Sequence, residues 1–171
     1  MVFIKCETFF KVRSAVRDKE AENGVRFLYN AGLGNAMKIE TERLIIRLFV
    51  RDDLQEFEKL LDIQEVTGWV MQKNRAEGFL NWQIANYSNM DIISGVVCFG
   101  IFCKATGEIL GAAGAGKHDD LHETEIFYQL LSKARGKGYA TEATKAITEW
   151  IFENYDVPYI IGTVKIDNNE S

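Results

Sequence analysis

The chain has 171 residues, 47% of them hydrophobic and 26% charged, with one proline and a formal charge of -5. That length fits one domain with a single core, and the composition is that of an ordinary globular protein rather than a disordered Pro-rich one. The acidic balance excludes a non-specific polyanion binder, and no uncharged apolar run approaches the ~18 residues of a membrane span, so the expectation is a cytoplasmic protein with no nucleic-acid and no membrane partner.

Residues 1–36 read as an N-terminal extension distinct from residues 37–171. They carry six Lys or Arg against four Asp or Glu, a formal +2, whereas the rest carries fourteen against twenty-one, a formal -7. Within the extension, Ala21, Gly24, Val25 and Leu28 fall on one helical face, and Gly32 is placed to end that helix. The three cysteines, Cys6, Cys98 and Cys103, form no disulfide framework; the last two are five apart on a predicted strand and face opposite ways.

From Glu40 to Leu48 the sequence alternates, with Leu44, Ile46 and Leu48 on one face and Thr41, Arg43 and Arg47 on the other, which predicts a half-buried strand. Asp52 or Asp53 then caps a helix striped by Leu54, Phe57, Leu60 and Leu61, and a second helix is expected over Glu77 to Tyr87. Trp69, Trp82 and Tyr87 either line a ligand site or pack the core, and core packing is expected of Trp82 from its helical spacing with Phe79. Val96 to Cys103 is almost continuously apolar, as in a strand buried on both faces, and Ala105 to Glu108 turns it into a second strand at Ile109 to Ala112. Glu123 to Leu131 is the next strand, Ala140, Ala143, Ile147, Ile151 and Tyr155 follow helical spacing, and Tyr159 to Val164 reads as a last strand after Pro158. Strand, Gly-rich turn, helix and strand make a crossover, so the fold class is α/β, or α+β under stricter naming, with a mixed, mostly antiparallel sheet and flanking helices.

Between Leu131 and Tyr139 lie two glycines, Gly136 and Gly138, that let consecutive backbone N–H groups turn toward an anion. The helix that follows adds its positive N-terminal end, and Arg135 and Lys137 supply local cations. A diphosphate suits this loop.

Arg135-Gly136-Lys137-Gly138-Tyr139-Ala140, followed by Thr141-Glu142-Ala143, resembles the Gln/Arg-x-x-Gly-x-Gly/Ala motif of the GNAT superfamily of N-acetyltransferases. Glu125 to Leu131 is similar to the family's fourth strand, and Glu40 to Arg47 to the opening strand of its RimJ/RimL-like branch. Asn168-Asn169-Glu170-Ser171 is similar to the Asn-x-x-Ser after strand five, so the resemblance covers residues 38–171 in the correct order.

The resemblance implies transfer of an acetyl group from the co-substrate acetyl-CoA to a primary amine, on a protein N-terminus or a small molecule, with no metal; a homodimer is allowed. It implies that Leu130, Leu131 and Ser132 hold the pantetheine arm, that Arg135, Gly136, Lys137, Gly138, Tyr139 and Ala140 hold the diphosphate, and that Asn168 reaches the pantetheine from the far side. The amine must lose a proton before attack, and Glu125 matches the strand-four glutamate that serves some members as general base, directly or through water. Ser171 would protonate the departing thiolate, or cap a following helix. Glu125 has its own structural alternative, a solvated strand glutamate.

The family continues past Asn-x-x-Ser into a helix and further strands, so a sequence ending at Ser171 is expected to be C-terminally incomplete. Arg26 to Leu33 faintly resembles the family's terminal helix; substituting for it, the extension would offer Tyr29 as the general acid. The alternative function is a catalytically inactive acyl-CoA-binding or regulatory protein on the same fold.

Other constellations fail on chemistry. Gly111 to His118 nearly spells a phosphate-binding P-loop, but His118 stands where a magnesium-ligating hydroxyl belongs. Gly136 to Thr141 lacks the third glycine of a dinucleotide fingerprint. His118, Asp119, Asp120, His122 and Glu123 lack a second ligand group elsewhere, and a solvated acidic turn is the expectation there.

Overall fold

The computed structural model describes residues 26–30, 36–61, 76–118 and 120–163, with the backbone alone at 26–30 and 36. Six strands form one sheet in chain order: β1 (Arg26–Asn30), β2 (Ala36–Glu40), β3 (Leu44–Leu48), β4 (Val96–Cys103), β5 (Ile109–Lys117) and β6 (Thr124–Leu130). Every neighbouring pair is antiparallel. Among the described residues, the one parallel element is a single bridge between Glu125 and Ile161, which gives the sheet its mixed character. Three helices among the described residues flank it: α1 (Leu54–Leu61), α2 (Ala76–Asn86) and α3 (Tyr139–Asn154).

The apolar run of β4 is explained by its two covered faces. Val97, Phe99 and Ile101 belong to a core with Ala143, Ile147, Trp150 and Ile151 of α3, whereas Cys98 and Phe102 pack with Phe57 and Leu60 of α1 and Leu80 of α2. Alternate side chains point to opposite sides of a strand, so one sequence segment serves both cores. Trp150 meets Phe99 and Tyr155 edge-on at 5.3 and 5.4 Å between ring centroids, which fixes α3 on its face. Beneath α2, the Tyr87 hydroxyl donates to the Cys98 carbonyl at 2.7 Å, satisfying the polar end of a buried ring.

Several expectations are corrected. The helical expectation for residues 21–32 fails over Arg26–Asn30, which pairs with β2 in the register Arg26 to Glu40 and Asn30 to Ala36; residues 19–25 and 31–35 lie outside the described residues. A five-residue segment satisfies helical and strand spacing about equally well, and pairing decides between them. The strand expected over Glu40 to Leu48 is interrupted by a turn at Thr41–Arg43, where the Thr41 N–H donates to the Leu44 carbonyl and the Leu44 N–H to Thr41 Oγ1. Asp53 does not cap α1 from in front of it: its carboxylate accepts from the Val50 N–H at 2.8 Å and from Arg47. Trp82 is 46% exposed and stacks on Phe79, so it is a surface aromatic rather than a core one. Trp69 lies outside the described residues. Of the strand expected over Tyr159 to Val164, the bridge at Ile161 is present and Val164 lies outside the described residues.

Candidate active site

β6 ends at Leu130, and a single 3-10 turn at Ser132–Ala134 carries the chain toward α3, anchored by Ala134, which is buried against the α3 core. Arg135 Nε donates back to the Leu130 carbonyl at 3.2 Å, tying the start of the loop to the end of the strand. Gly136 and Gly138 both take positive φ, 69° and 77°. This is the left-handed region in which a side chain strains the backbone, and it turns the loop back onto the helix start.

Gly138 is the N-cap of α3, and its carbonyl accepts the first helical bond, from the Glu142 N–H at 3.1 Å. The N–H groups of the first turn have no intrahelical acceptor, and here no side chain caps them. Tyr139, Ala140 and Thr141 therefore present donors at the positive end of a sixteen-residue helix. Arg135 and Lys137 are exposed beside them, and the space where a Gly136 side chain would lie is open to at least 4 Å.

The pairing register defines the outer edge of β6. The Leu131 N–H donates to the Leu110 carbonyl, so residues 125, 127, 129 and 131 direct their backbone groups toward β5 and residues 124, 126, 128 and 130 direct theirs outward. Outward pairing is made at one end only: the Ile126 N–H donates to the Ile161 carbonyl, and the Ile161 N–H to the Thr124 carbonyl, both at 2.9 Å. Toward the loop, the Tyr128 N–H and carbonyl and the Leu130 N–H have no backbone partner among the described residues. The sheet edge is thus closed at Thr124–Ile126 and open from Tyr128 to the loop.

Glu125 lies at the closed end, where Thr163 Oγ1 donates to its Oε1. Glu125 Oε2 has no hydrogen bond among the described residues. Nearby, the Tyr159 hydroxyl donates to Glu123 at 2.8 Å, and this hydrogen bond to a carboxylate holds the phenol above its usual pKa.

The predicted residues Glu125, Leu130 and Arg135 to Ala140 are therefore brought to one edge of the sheet. Leu131 is less available than expected, since its N–H pairs with β5, and Ser132 begins the 3-10 turn. Tyr128 was missed, although its position two residues before Leu130 marks it in the strand period. Thr163 was also missed, because its pairing with Glu125 is a tertiary contact. Tyr29 belongs to β1, at the opposite edge of the sheet from Glu125, so within one chain it is not the general acid beside that carboxylate. Its side chain, Asn168 and Ser171 lie outside the described residues. The near-P-loop is strand β5, and ahead of β6 the His118 N–H donates to the Glu123 carbonyl. No helix among the described residues is long and apolar enough to cross a membrane.

An antiparallel sheet with an open outer edge leading into a glycine loop and a helix N-terminus suits an extended ligand that carries an anionic group. Residues 43–171 match the model of the acetyltransferase (GNAT) domain, and the chain belongs to that family as an acetyl-CoA-dependent N-acetyltransferase. Among solved structures, the chain is similar to an acetyltransferase from Agrobacterium tumefaciens, at 26% identity over 77% of this chain and 76% of that one, with a TM-score of 0.63. It shares its fold with a GNAT-family acetyltransferase from Bacillus anthracis, at 24% identity over 79% and 78% of the two chains and a TM-score of 0.62. It also shares its fold with RimL, a ribosomal L7/L12 α-N-protein acetyltransferase solved in complex with coenzyme A, at 15% identity over 75% and 74% and a TM-score of 0.61. A search of curated protein sequences finds no match.

Proposed function

We propose that this chain acetylates a primary amine, on a protein N-terminus or a small molecule, with Glu125 as the general base acting directly or through water. The observation that carries this reading is the continuity of three features along one sheet edge: Glu125, the open backbone of Tyr128 and Leu130, and the loop N–H groups before α3. The residues present fit acetyl-CoA, because a linear amide-bearing arm matches an open strand edge and a diphosphate matches unpaired N–H groups beside Arg135 and Lys137. Bound acetyl-CoA would supply an activated thioester.

The chain's own groups then have distinct tasks. Tyr128 and Leu130 orient the pantetheine arm through backbone N–H and carbonyl groups, and the Gly136 to Thr141 segment holds the diphosphate. Asn168 would reach the arm from the far side, and Ser171 would return a proton to the thiolate. Thr163 occupies Glu125 Oε1, which leaves Oε2 to take the proton of the amine. An α-amine, with a reference pKa of about 7.7–8.0, gives up its proton to such a base more readily than a lysine near 10.4. The α-amine acceptor of RimL is for that reason the first to test.

Calorimetry with coenzyme A, paired with thiol release from acetyl-CoA in the presence of peptide α-amines and small amines, tests the proposal. Wild type is expected to bind and turn over, and Glu125→Gln to bind equally while losing about 10²-fold or more in kcat. Absence of coenzyme A binding overturns the whole reading; turnover unchanged in Glu125→Gln overturns the role of the base; binding without turnover across the panel favours an inactive acyl-CoA-binding protein.

A further inference from the structure

The turn between β2 and β3 reaches across the molecule to the loop before α3. Arg43 Nε donates to Glu142 Oε2 at 2.6 Å, and the Arg43 backbone N–H donates to Glu142 Oε1 at 2.9 Å. Thr41 Oγ1 donates to the same Oε1 at 2.6 Å. Thr41 is buried and held by Leu44, so the carboxylate is gripped by a rigid turn rather than by a free surface side chain. The other end of the guanidinium acts on the loop backbone: Arg43 Nη1 donates to the Lys137 carbonyl at 2.9 Å, and the guanidinium carbon lies 4.7 Å from the centre of the Tyr139 ring.

A trans peptide is planar, and its carbonyl and its N–H point in opposite directions. The Lys137 carbonyl and the Gly138 N–H belong to one peptide. With the carbonyl drawn onto Arg43, the Gly138 N–H must face away from Arg43. It makes no backbone hydrogen bond among the described residues. It thereby joins the donors of Tyr139, Ala140 and Thr141. The positive φ of Gly138 is what allows this peptide orientation to continue directly into the helix.

We propose that Thr41, Arg43 and Glu142 form a positioning clamp that sets the Lys137–Gly138 peptide so that the Gly138 N–H donates to the diphosphate of coenzyme A. Arg43 is a positioning residue in this scheme, acting through the backbone it holds. The clamp rests on the assignment of the loop as the diphosphate site, and its test separates the two.

The test uses the full chain labelled with nitrogen-15, with coenzyme A as the probe. In wild type, saturating coenzyme A is expected to move the Gly138 amide proton strongly downfield, as hydrogen bonding to a phosphate does. Arg43→Met is expected to weaken coenzyme A binding about tenfold or more, the scale of a lost charge-assisted contact, and to abolish that amide shift even at saturation. Glu142→Gln carries the same test if Arg43→Met fails to fold, since it removes the charged partner and keeps the shape.

Wild-type binding without a Gly138 shift, or no binding, overturns the assignment of the loop and the clamp with it. A wild-type shift that persists in Arg43→Met overturns the clamp alone, whether or not the affinity falls. A general loss of stability would leave the shift intact in the folded, saturated fraction.

Discussion

Arg47 holds Asp53 through both ends of its guanidinium, Nη1 and Nη2 each donating to one carboxylate oxygen at 2.7 Å. The pair joins β3 to the entrance of α1, and the guanidinium stacks 4.1 Å from the centre of the Phe102 ring. Asp53 is nearly buried and Arg47 keeps some contact with water. Asp53→Ala therefore leaves a partly desolvated cation and a vacant carboxylate site, and is expected to destabilise the fold by about 2–3 kcal/mol, below the range for breaking a fully buried pair because Arg47 keeps contact with water. Urea unfolding measures it, and a double-mutant cycle with Arg47→Met isolates the pair.

Gly138 carries two demands, a positive φ and proximity to Arg43. A Cβ placed there would lie 3.4 Å from Arg43 Nη2, an ordinary contact, so backbone strain dominates. Gly138→Ala is expected to cost about 1–2 kcal/mol of stability and to weaken coenzyme A binding. Gly138→Asn, whose side chain tolerates the left-handed region, is expected to cost less. Equal losses in the two variants, read by thermal unfolding and calorimetry, would contradict this.

The Glu142 carboxylate stabilises the fold in its ionised form, and that contribution is lost at low pH. Burial alone raises its pKa, but hydrogen bonds from Thr41 and Arg43 outweigh this and hold it below the ordinary 4.5. A carboxylate depressed by folding contributes stability that is full above its unfolded pKa and is lost as pH falls through the folded one. Wild type is therefore expected to gain stability relative to Glu142→Gln as pH rises toward 4.5, with the difference flat above it. Parallel stability curves for the two proteins from pH 3 to 7 would sink this account.

Thr163 Oγ1 donates to Glu125 Oε1, and under the proposed mechanism it orients that carboxylate. Thr163→Val removes one hydrogen bond and leaves the shape, so kcat is expected to fall about fivefold, with the KM for acetyl-CoA unchanged. Thr163→Ser restores the hydroxyl and is expected to restore kcat. Steady-state kinetics against a competent amine distinguish this from a structural effect, which the serine variant would not repair.

Much of the fold was legible locally. The unbroken apolar run of Val96 to Cys103, the Ala105 to Glu108 turn and the helical spacing of Ala143, Ile147 and Ile151 each determine their own element. The β2–β3 turn was hidden by the strong alternation after it, although the buried positions change parity from Met37 and Ile39 to Leu44 and Ile46, a shift that an inserted turn or a bulge produces. The loop before α3 announced itself through its glycines and cations. The clamp on that loop did not, because its two halves stand about a hundred positions apart, and spacing carries no information over that range. The Asp53 carboxylate misled for the same reason on a smaller scale: an acid before a helix suggests a cap until Arg47 is seen beside it.

The span between Thr41 and Glu142 also bears on how the protein is assembled. A loop whose peptide orientation depends on a turn from the other end of the chain acquires its binding geometry only after the long-range closure is complete, when most of the entropic cost of folding has already been met. Coenzyme A would then recognise the finished molecule and none of its partly folded precursors. At a hundredfold excess over its dissociation constant, such a ligand would deepen the native well by about 2.7 kcal/mol.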